Sequence, residues 1–320
     1  MKSEDGDIMS AKEVIVLNSH GVGQYADATH MPVWGETLCV KNWRVAEDGG
    51  KGSNVSVALG RLGIDTAYIG KVGNDPWGDL GEKWMNDAGV DTTYMYRSDE
   101  VSTGTGLILI GPDGQNTIID GDSSAVALTL QEVTDALDAM KGSKFFVTGF
   151  EVPEHIALEG AKYAKSLGMT TALNPSPLPE QPMGDLHYVD YLFINEVEGR
   201  YILNLAEDAA FEPRDLMEQV RKVYGCKNVI MTLGSDGSAA LYGDEYWTVA
   251  PTRVEKVVNT AGAGDGFMAA TVAKLVRGES LRDAMEWASK YAALSVTIDG
   301  TIPAYRPLAE VEAFIAKLNG

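Results

Sequence analysis

Cysteine is nearly missing from this sequence. Cys39 and Cys226 are the only two, and they show no metal-ligand spacing. That excludes a disulfide framework and a cysteine-ligated zinc site; both are expected to be free thiols, as a reducing cytoplasm allows. Positive charge is also short, with 26 basic residues against 46 acidic ones and a formal net charge of −20. A polyanion is repelled at long range by such a chain, so no nucleic-acid partner is expected. No stretch approaches the roughly 18 consecutive apolar residues of a membrane span, so no membrane partner is expected either. Residues 1–12 are polar and rich in acids, lack the basic-then-apolar order of a signal peptide, and read as a disordered leader before a cytoplasmic protein. Two phosphate-binding signatures are absent as well. Residues 49–54 are not a P-loop, which ends a longer loop in Gly-Lys-Ser/Thr, and they contain no G-x-G-x-x-G. There is no internal repeat and no low-complexity linker.

What remains is an ordinary globular composition, 45% hydrophobic and 22% charged over 320 residues. That length suits one large α/β domain with a small appended element, or two small domains. Residues 13–17 (EVIVL) read as a buried first strand. Residues 20–48 are polar with aromatics and alternate weakly over 36–45, which predicts strands exposed on one face. A helix is expected over 53–62, a strand over 66–70, a helix over 75–88 and a short strand over 94–96. Runs 105–110 and 115–120 flank Gly111-Pro112-Asp113-Gly114, a hairpin pattern. Helices over 129–140, 154–167, 195–203 and 213–223 then alternate with strands over 144–148, 170–173, 191–194 and 228–232. A hairpin over 238–249 and helices near 264–276, 280–296 and 307–318 complete the chain. The alternation predicts a mostly parallel sheet covered by helices on both sides, an α/β/α sandwich over residues 13–320. Residues 20–48 and 104–120 would form a small β-sheet lid over one edge.

Four motifs carry candidate chemistry. Asn259-Thr260-Ala261-Gly262-Ala263-Gly264-Asp265-Gly266-Phe267 runs directly into an apolar helical stretch. Glycines let backbone amides converge, and the first turn of a helix adds free donors and the positive dipole end. This is an anion hole suited to a transferring phosphoryl group. Asp265 beside it is either a general base for an attacking hydroxyl or a helix cap. Gly49-Gly50-Lys51-Gly52-Ser53-Asn54 offers donors to a polyhydroxyl ligand or an anion, or is a plain glycine-rich turn. Asn195-Glu196-Val197-Glu198 follows a strand, at the edge where ligands gather in parallel sheets. Glu198 there suits a metal-bound water and Asn195 a phosphate oxygen, the alternative being a solvated helix start. Thr232-Leu233-Gly234-Ser235-Asp236-Gly237 suits a nucleotide's phosphates and ribose, or is a hairpin turn.

In this order and spacing, together with Asn174-Pro175-Ser176-Pro177, these motifs resemble the ribokinase-like carbohydrate kinases, the PfkB family, and most nearly its ribokinase branch. The resemblance runs from about residue 13 to 318. It implies that Gly50, Lys51, Asn54 and Glu151 contact a sugar. It implies a nucleotide site of Asn195, Thr232, Gly234, Gly237, Ala261 and Gly264, with Mg²⁺ near Glu198 through water. Gly262, Ala263 and Gly264 become the anion hole and Asp265 the base. A homodimer formed through the lid is a further implication.

The sequence departs from the family pattern in two regions. Ribokinases carry Asn-x-Asp after the first strand, where this chain has Gly21 and Gly23, with His20 and Gln24 nearby. The acceptor is therefore open. Asn259 stands where an Asp is usual, and Ala304 where a Ser is often found, both beside a monovalent-cation site. Loss of a carboxylate and a hydroxyl predicts weak K⁺ binding. The expected activity is ATP-dependent phosphorylation of a primary hydroxyl on a sugar or sugar-like molecule. A nucleoside kinase, with Tyr25, Trp34 and Trp43 covering a base, and a non-catalytic sugar sensor are the alternatives.

Overall fold

The computed structural model describes residues 10–112, 116–206 and 211–318. The chain opens with β1 (Val14–Leu17), crosses to β2 (Gly21–Asp27) and β3 (Lys41–Val45), and returns through α1 (Gly50–Arg61) to β4 (Thr66–Gly73). Next come α2 (Pro76–Asp87), β5 (Asp91–Ser98), β6 (Gly104–Ile110) and β7 (Asn116–Asp120). Then follow α3 (Leu130–Ala139), β8 (Phe145–Gly149), α4 (Glu154–Ser166), β9 (Thr170–Asn174), β10 (Tyr191–Asn195), α5 (Glu196–Ile202), α6 (Pro213–Tyr224) and β11 (Asn228–Thr232). The last elements are β12 (Ser238–Tyr242), β13 (Glu245–Val249), α7 (Ala263–Val276), α8 (Leu281–Ser295) and α9 (Leu308–Leu318).

A 9-stranded sheet runs in the order β13-β12-β11-β10-β9-β8-β1-β4-β5. Its pairs are parallel from β11 to β5, and β12 and β13 add an antiparallel edge. β1 shows why the sheet is covered twice. Ile15 and Leu17 pack into a cluster with Val133, Ile156 and Leu216, from α3, α4 and α6. Val14 and Val16, pointing the other way, meet Val55, Phe267 and Met285, from α1, α7 and α8. Each such fully buried aliphatic side chain contributes about 1.5–3 kcal/mol, so both helix layers are needed to cover the sheet. A second, 4-stranded sheet has the order β3-β2-β6-β7, with a small core of Ala26, Ala28 and Leu109.

Helix starts follow local chemistry. Asp75 caps α2 by accepting from the Trp77 and Gly78 amides, and Thr129 with Glu132 makes a capping box on α3. Several boundaries differ from expectation, among them β4, which runs on to Gly73 rather than ending at residue 70. α1 starts at Gly50, not at residue 53, and within its first turn Gly52 lies against the link after β1, where a Cβ would sit 2.2 Å from the Ser19 carbonyl oxygen. β5 spans 91–98 because β4 pairs with it along that whole length. In the 36–45 stretch only 41–45 is strand. Residues 1–9 of the expected leader and residues 113–114 of the expected turn lie outside the described residues. Lys12 is held, with its ammonium 3.3 Å from Asp65 and 3.1 Å from Asp91. Among the described residues no helix is long and apolar enough to cross a membrane.

Candidate active site

The C-terminal ends of β1, β8, β9, β10 and β11 share one edge of the sheet. Ser19, Glu151, Asn174, Asn195 and Thr232 stand at or just beyond those ends. Onto this edge the chain brings α1 and α7, both by their N-termini. Asp265 is in the first turn of α7, yet it does not cap the helix. The capping position is Gly262, which makes no side-chain bond, and the Asp265 carboxylate turns to α1 instead. Asn54 Nδ2 donates to Asp265 Oδ2 at 3.0 Å, and Lys51 Nζ lies 3.6 Å from Asp265 Oδ1. The nearby Asp265 carboxylate, more than any other group, raises the Lys51 pKa, so the ammonium is held charged.

Glu151 joins the same cluster. Its Oε2 accepts from the Lys51 amide at 2.8 Å and from the Ser19 hydroxyl at 2.8 Å. Burial pushes its pKa up to about 7; Lys51 and the Ser19 bond pull the other way. The predicted acceptor residues Gly50, Lys51, Asn54, Glu151 and Asp265 are therefore brought together.

Gly262 has φ +71, the left-handed region where a side chain is costly. A Cβ there would also lie 2.4 Å from Tyr305 Oη, which donates to the Gly262 carbonyl at 2.9 Å. This turn aims the first amides of α7 outward, beside Gly264, where a Cβ would meet nothing within 4 Å. Open space at a helix N-terminus with the dipole behind it is an anion site.

On the far side of Gly264 a cleft of about 880 Å³ opens. Thr232, Gly234, Gly237, Ala263 and Gly264 line it, as does an apolar wall including Val254, Val257, Ala292 and Val296. Asn195 and Ala261 are not among its lining residues. Asn195 is instead the N-cap of α5, in a capping box with Glu198: its Oδ1 accepts from the Glu198 amide at 2.8 Å, and Glu198 Oε2 accepts from the Asn195 amide at 2.9 Å. Asn174 Nδ2 donates to the same Oε2 at 3.2 Å, and burial raises the Glu198 pKa.

A profile of the pfkB family of carbohydrate kinases matches residues 36–307. The chain belongs to that family. Ribokinase of Staphylococcus aureus (strain COL) is 30% identical over 300 residues, covering 93% of this chain and 98% of that protein. Deoxyribokinase of Salmonella typhi is 26% identical over 309 residues, covering 95% and 99%. The structure of Arabidopsis thaliana ribokinase complexed with ribose and ATP aligns with a TM-score of 0.85 at 26% identity, over 95% of this chain and 99% of that one. The protein is accordingly an ATP-dependent sugar kinase, and the α/β/α sandwich with its small second sheet is the ribokinase fold.

In this carbohydrate kinase His20 is a structural beam. It is fully buried, and burial lowers its pKa to about 4. Its Nε2 lies 3.1 Å from the Trp77 carbonyl, and its Nδ1 lies 2.7 Å from Ser53 Oγ and 3.1 Å from the Gly49 carbonyl, so both ring nitrogens are engaged inside the fold. Gln24 accepts from Trp43 Nε1 at 2.9 Å. Trp34 is fully exposed. Asn259 bridges two loops: its Oδ1 accepts from the Ala261 amide at 2.9 Å and its Nδ2 donates to Asp299 Oδ1 at 3.0 Å. Ala304 is buried.

The sequence reading missed Ser19, Asp48, Thr301 and the apolar wall of the cleft. Val257-Val258 in an otherwise polar connection was a readable signal for that wall. Thr301 bonds Asn54 across 247 positions, at 2.7 Å, and nothing local announces such a contact.

Proposed function

We propose that this kinase transfers the γ-phosphoryl group of ATP to a primary hydroxyl of a sugar or sugar-like small molecule, with Asp265 accepting the hydroxyl proton. The observation that carries this reading is the junction of Asp265 with Lys51 and Asn54 at the open N-terminus of α7. A hydroxyl resting on Asp265 has acceptor-binding side chains behind it and the α7 amides in front. The Gly264 and Asp265 amides stabilise the charge that develops on the γ-phosphoryl group, while one expected donor, the Ala263 amide, is spent on the Thr260 carbonyl at 3.2 Å. Gly262 sets their direction. The cleft at Thr232, Gly234 and Gly237 takes ATP, in keeping with the ATP held by the Arabidopsis relative. Asn195 and Ala261 support that region from outside the cleft.

Glu198 fits a Mg²⁺-bound water as a carboxylate at the strand ends, oriented by the Asn195 amide and Asn174 Nδ2 on its Oε2 and by the Ser176 side chain. Among the described residues no cluster of three carboxylate, histidine or cysteine side chains could hold a metal directly. Bound there, Mg²⁺ would neutralise phosphate charge. We read residues 13–320 as one kinase domain with the second sheet as its lid. The exposure of β3, Trp34 and Val45 favours a homodimer through that sheet.

The test is ADP release from MgATP against pentoses, ketohexoses, polyols, inositols and nucleosides, with and without K⁺. Turnover with one free sugar or polyol is expected, and it should change little with K⁺, because Asn259 is neutral and already tied to Asp299. Turnover confined to nucleosides would replace the sugar reading. ATP binding without turnover on any acceptor would favour a sensor, and a many-fold K⁺ activation would overturn the potassium expectation.

A pH dependence also follows. Glu151 is proposed to accept a hydrogen bond from the sugar, and its carboxyl protonates below about pH 7. The kcat/KM for the acceptor should therefore fall as pH drops through 7, and Glu151→Gln should flatten that limb. The folded state holds this proton more tightly than the unfolded chain, so Glu151 lowers stability as pH rises from its ordinary 4.5 towards 7. A limb that survives in Glu151→Gln belongs to another group.

A further inference from the structure

β2 brings no polar side chain to the acceptor site at positions 21 and 23. The Gly21 amide instead donates to the Gly49 carbonyl at 3.1 Å, which lays bare backbone over the loop that opens α1. A Cβ at Gly23 would press on Ile108 Cδ1 at 3.2 Å and Ala46 Cβ at 3.3 Å, so that position is closed by apolar atoms. The polar group on this side of the site comes from the loop itself, at Asp48.

Asp48 Oδ1 faces three donor-bearing groups: the Gly50 amide at 3.3 Å, Asn54 Nδ2 at 3.4 Å and Thr301 Oγ1 at 3.1 Å. The single Thr301 proton has Asn54 Oδ1 nearer, at 2.7 Å. Asp48 Oδ2 takes no hydrogen bond from a described residue, and the side chain is only partly buried. Asn54 Nδ2 touches both Asp48 and Asp265. An acceptor whose reacting hydroxyl rests on Asp265 therefore has Asp48 within reach of one of its other hydroxyls.

We propose that Asp48 is an acceptor-binding, specificity-determining residue, whose Oδ2 accepts a hydrogen bond from a secondary hydroxyl of the sugar. This rests on the sugar-kinase reading given above. The competing role is structural: the bond from the Gly50 amide two residues on is a turn that an Asp makes at a helix start. Asparagine serves that turn equally well. Asp48→Asn keeps an acceptor oxygen in the Oδ1 place and turns the free atom from acceptor to donor, which separates the two roles.

The experiment is steady-state kinetics of wild type, Asp48→Asn and Asp48→Ala, with the best acceptor of the panel and its mono-deoxy analogues. Both variants should raise the KM for the acceptor by about ten- to a hundredfold, the worth of one hydrogen bond to a charged group, and leave the KM for ATP in place. Wild type should prefer the parent sugar to one deoxy analogue, and Asp48→Ala should lose that preference. Wild-type kinetics in a folded Asp48→Asn would overturn the proposal. So would a fall in kcat at unchanged KM, which would make Asp48 a positioning residue for Asn54 and Asp265. Wild type silent on every polyhydroxy acceptor would remove the sugar reading first and the proposal with it, whereas an active wild type with indifferent Asp48 variants removes the proposal alone.

Discussion

Asp265→Asn should lower kcat by about a thousandfold or more, at the upper end of what general-base catalysis supplies, while ATP still binds. The reason is that the substitution removes a proton acceptor and little else. The asparagine oxygen still accepts from Asn54 Nδ2, so the link between α1 and α7 persists. What disappears is the negative charge that pairs with Lys51 and takes the hydroxyl proton. The nucleotide cleft lies on the other side of Gly264 and is lined without Asp265. Rapid-quench turnover and nucleotide titration of the same preparation, with a melting curve as control, make the measurement. Turnover within a few-fold of wild type would take Asp265 out of the chemistry. Loss of ATP binding would show that its role is to hold the α7 terminus.

The second large effect is at Gly262. Alanine there must adopt φ near +71, which costs roughly 1–2 kcal/mol for a residue with a Cβ. It must also move Tyr305 Oη and Thr301 Cγ2, which stand 2.4 and 2.8 Å from the new atom. Overpacking of that kind adds about 1–3 kcal/mol, so a total loss of about 2–5 kcal/mol in stability is expected from Gly262→Ala. The shift also turns the α7 amides, and misplacing such donors costs about a hundredfold or more in kcat. Gly264→Ala is the matched control. Its Cβ meets nothing within 4 Å, and alanine is the better helix former, so thermal stability should hold or rise slightly. Its methyl group would project where the phosphoryl group is proposed to sit, so activity should still fall. Chemical denaturation and kcat on both variants check the pair. Equal stability of the two would mean that the Gly262 turn is not strained by a side chain.

The candidate site residues differ in how well they could be read. Asn259–Phe267 was legible because its chemistry is local: glycines, an acid and a helix start lie within nine positions. What spacing left open was whether Asp265 caps α7 or faces a substrate. The Asn54 amide settles the geometry against a cap, and Asn54 is 211 positions away. Asn195 was legible only in part. Its place after a strand suggested a phosphate contact, and the structure shows that its Oδ1 also caps α5 by accepting from the Glu198 amide, a bond in which its Nδ2 takes no part. His20, next in sequence to the open acceptor positions, is packed between α1 and α2 with its ring nitrogens on Ser53, Gly49 and Trp77.

By itself the sequence determined the layered fold and the family. Both rest on short-range patterns: apolar runs of strand length, helical periodicity between them, and ordered motifs at the strand ends. Those patterns act within a few residues of chain, so they can be read without coordinates. Only the tertiary structure decided which side chains meet at the acceptor site. Ser19 with Glu151, Asp48 with Asn54, and Asn54 with Thr301 and Asp265 come from five distant segments. Their partners are fixed by how α1, α7 and the link after β1 pack on one sheet edge, and that packing is a property of the whole core.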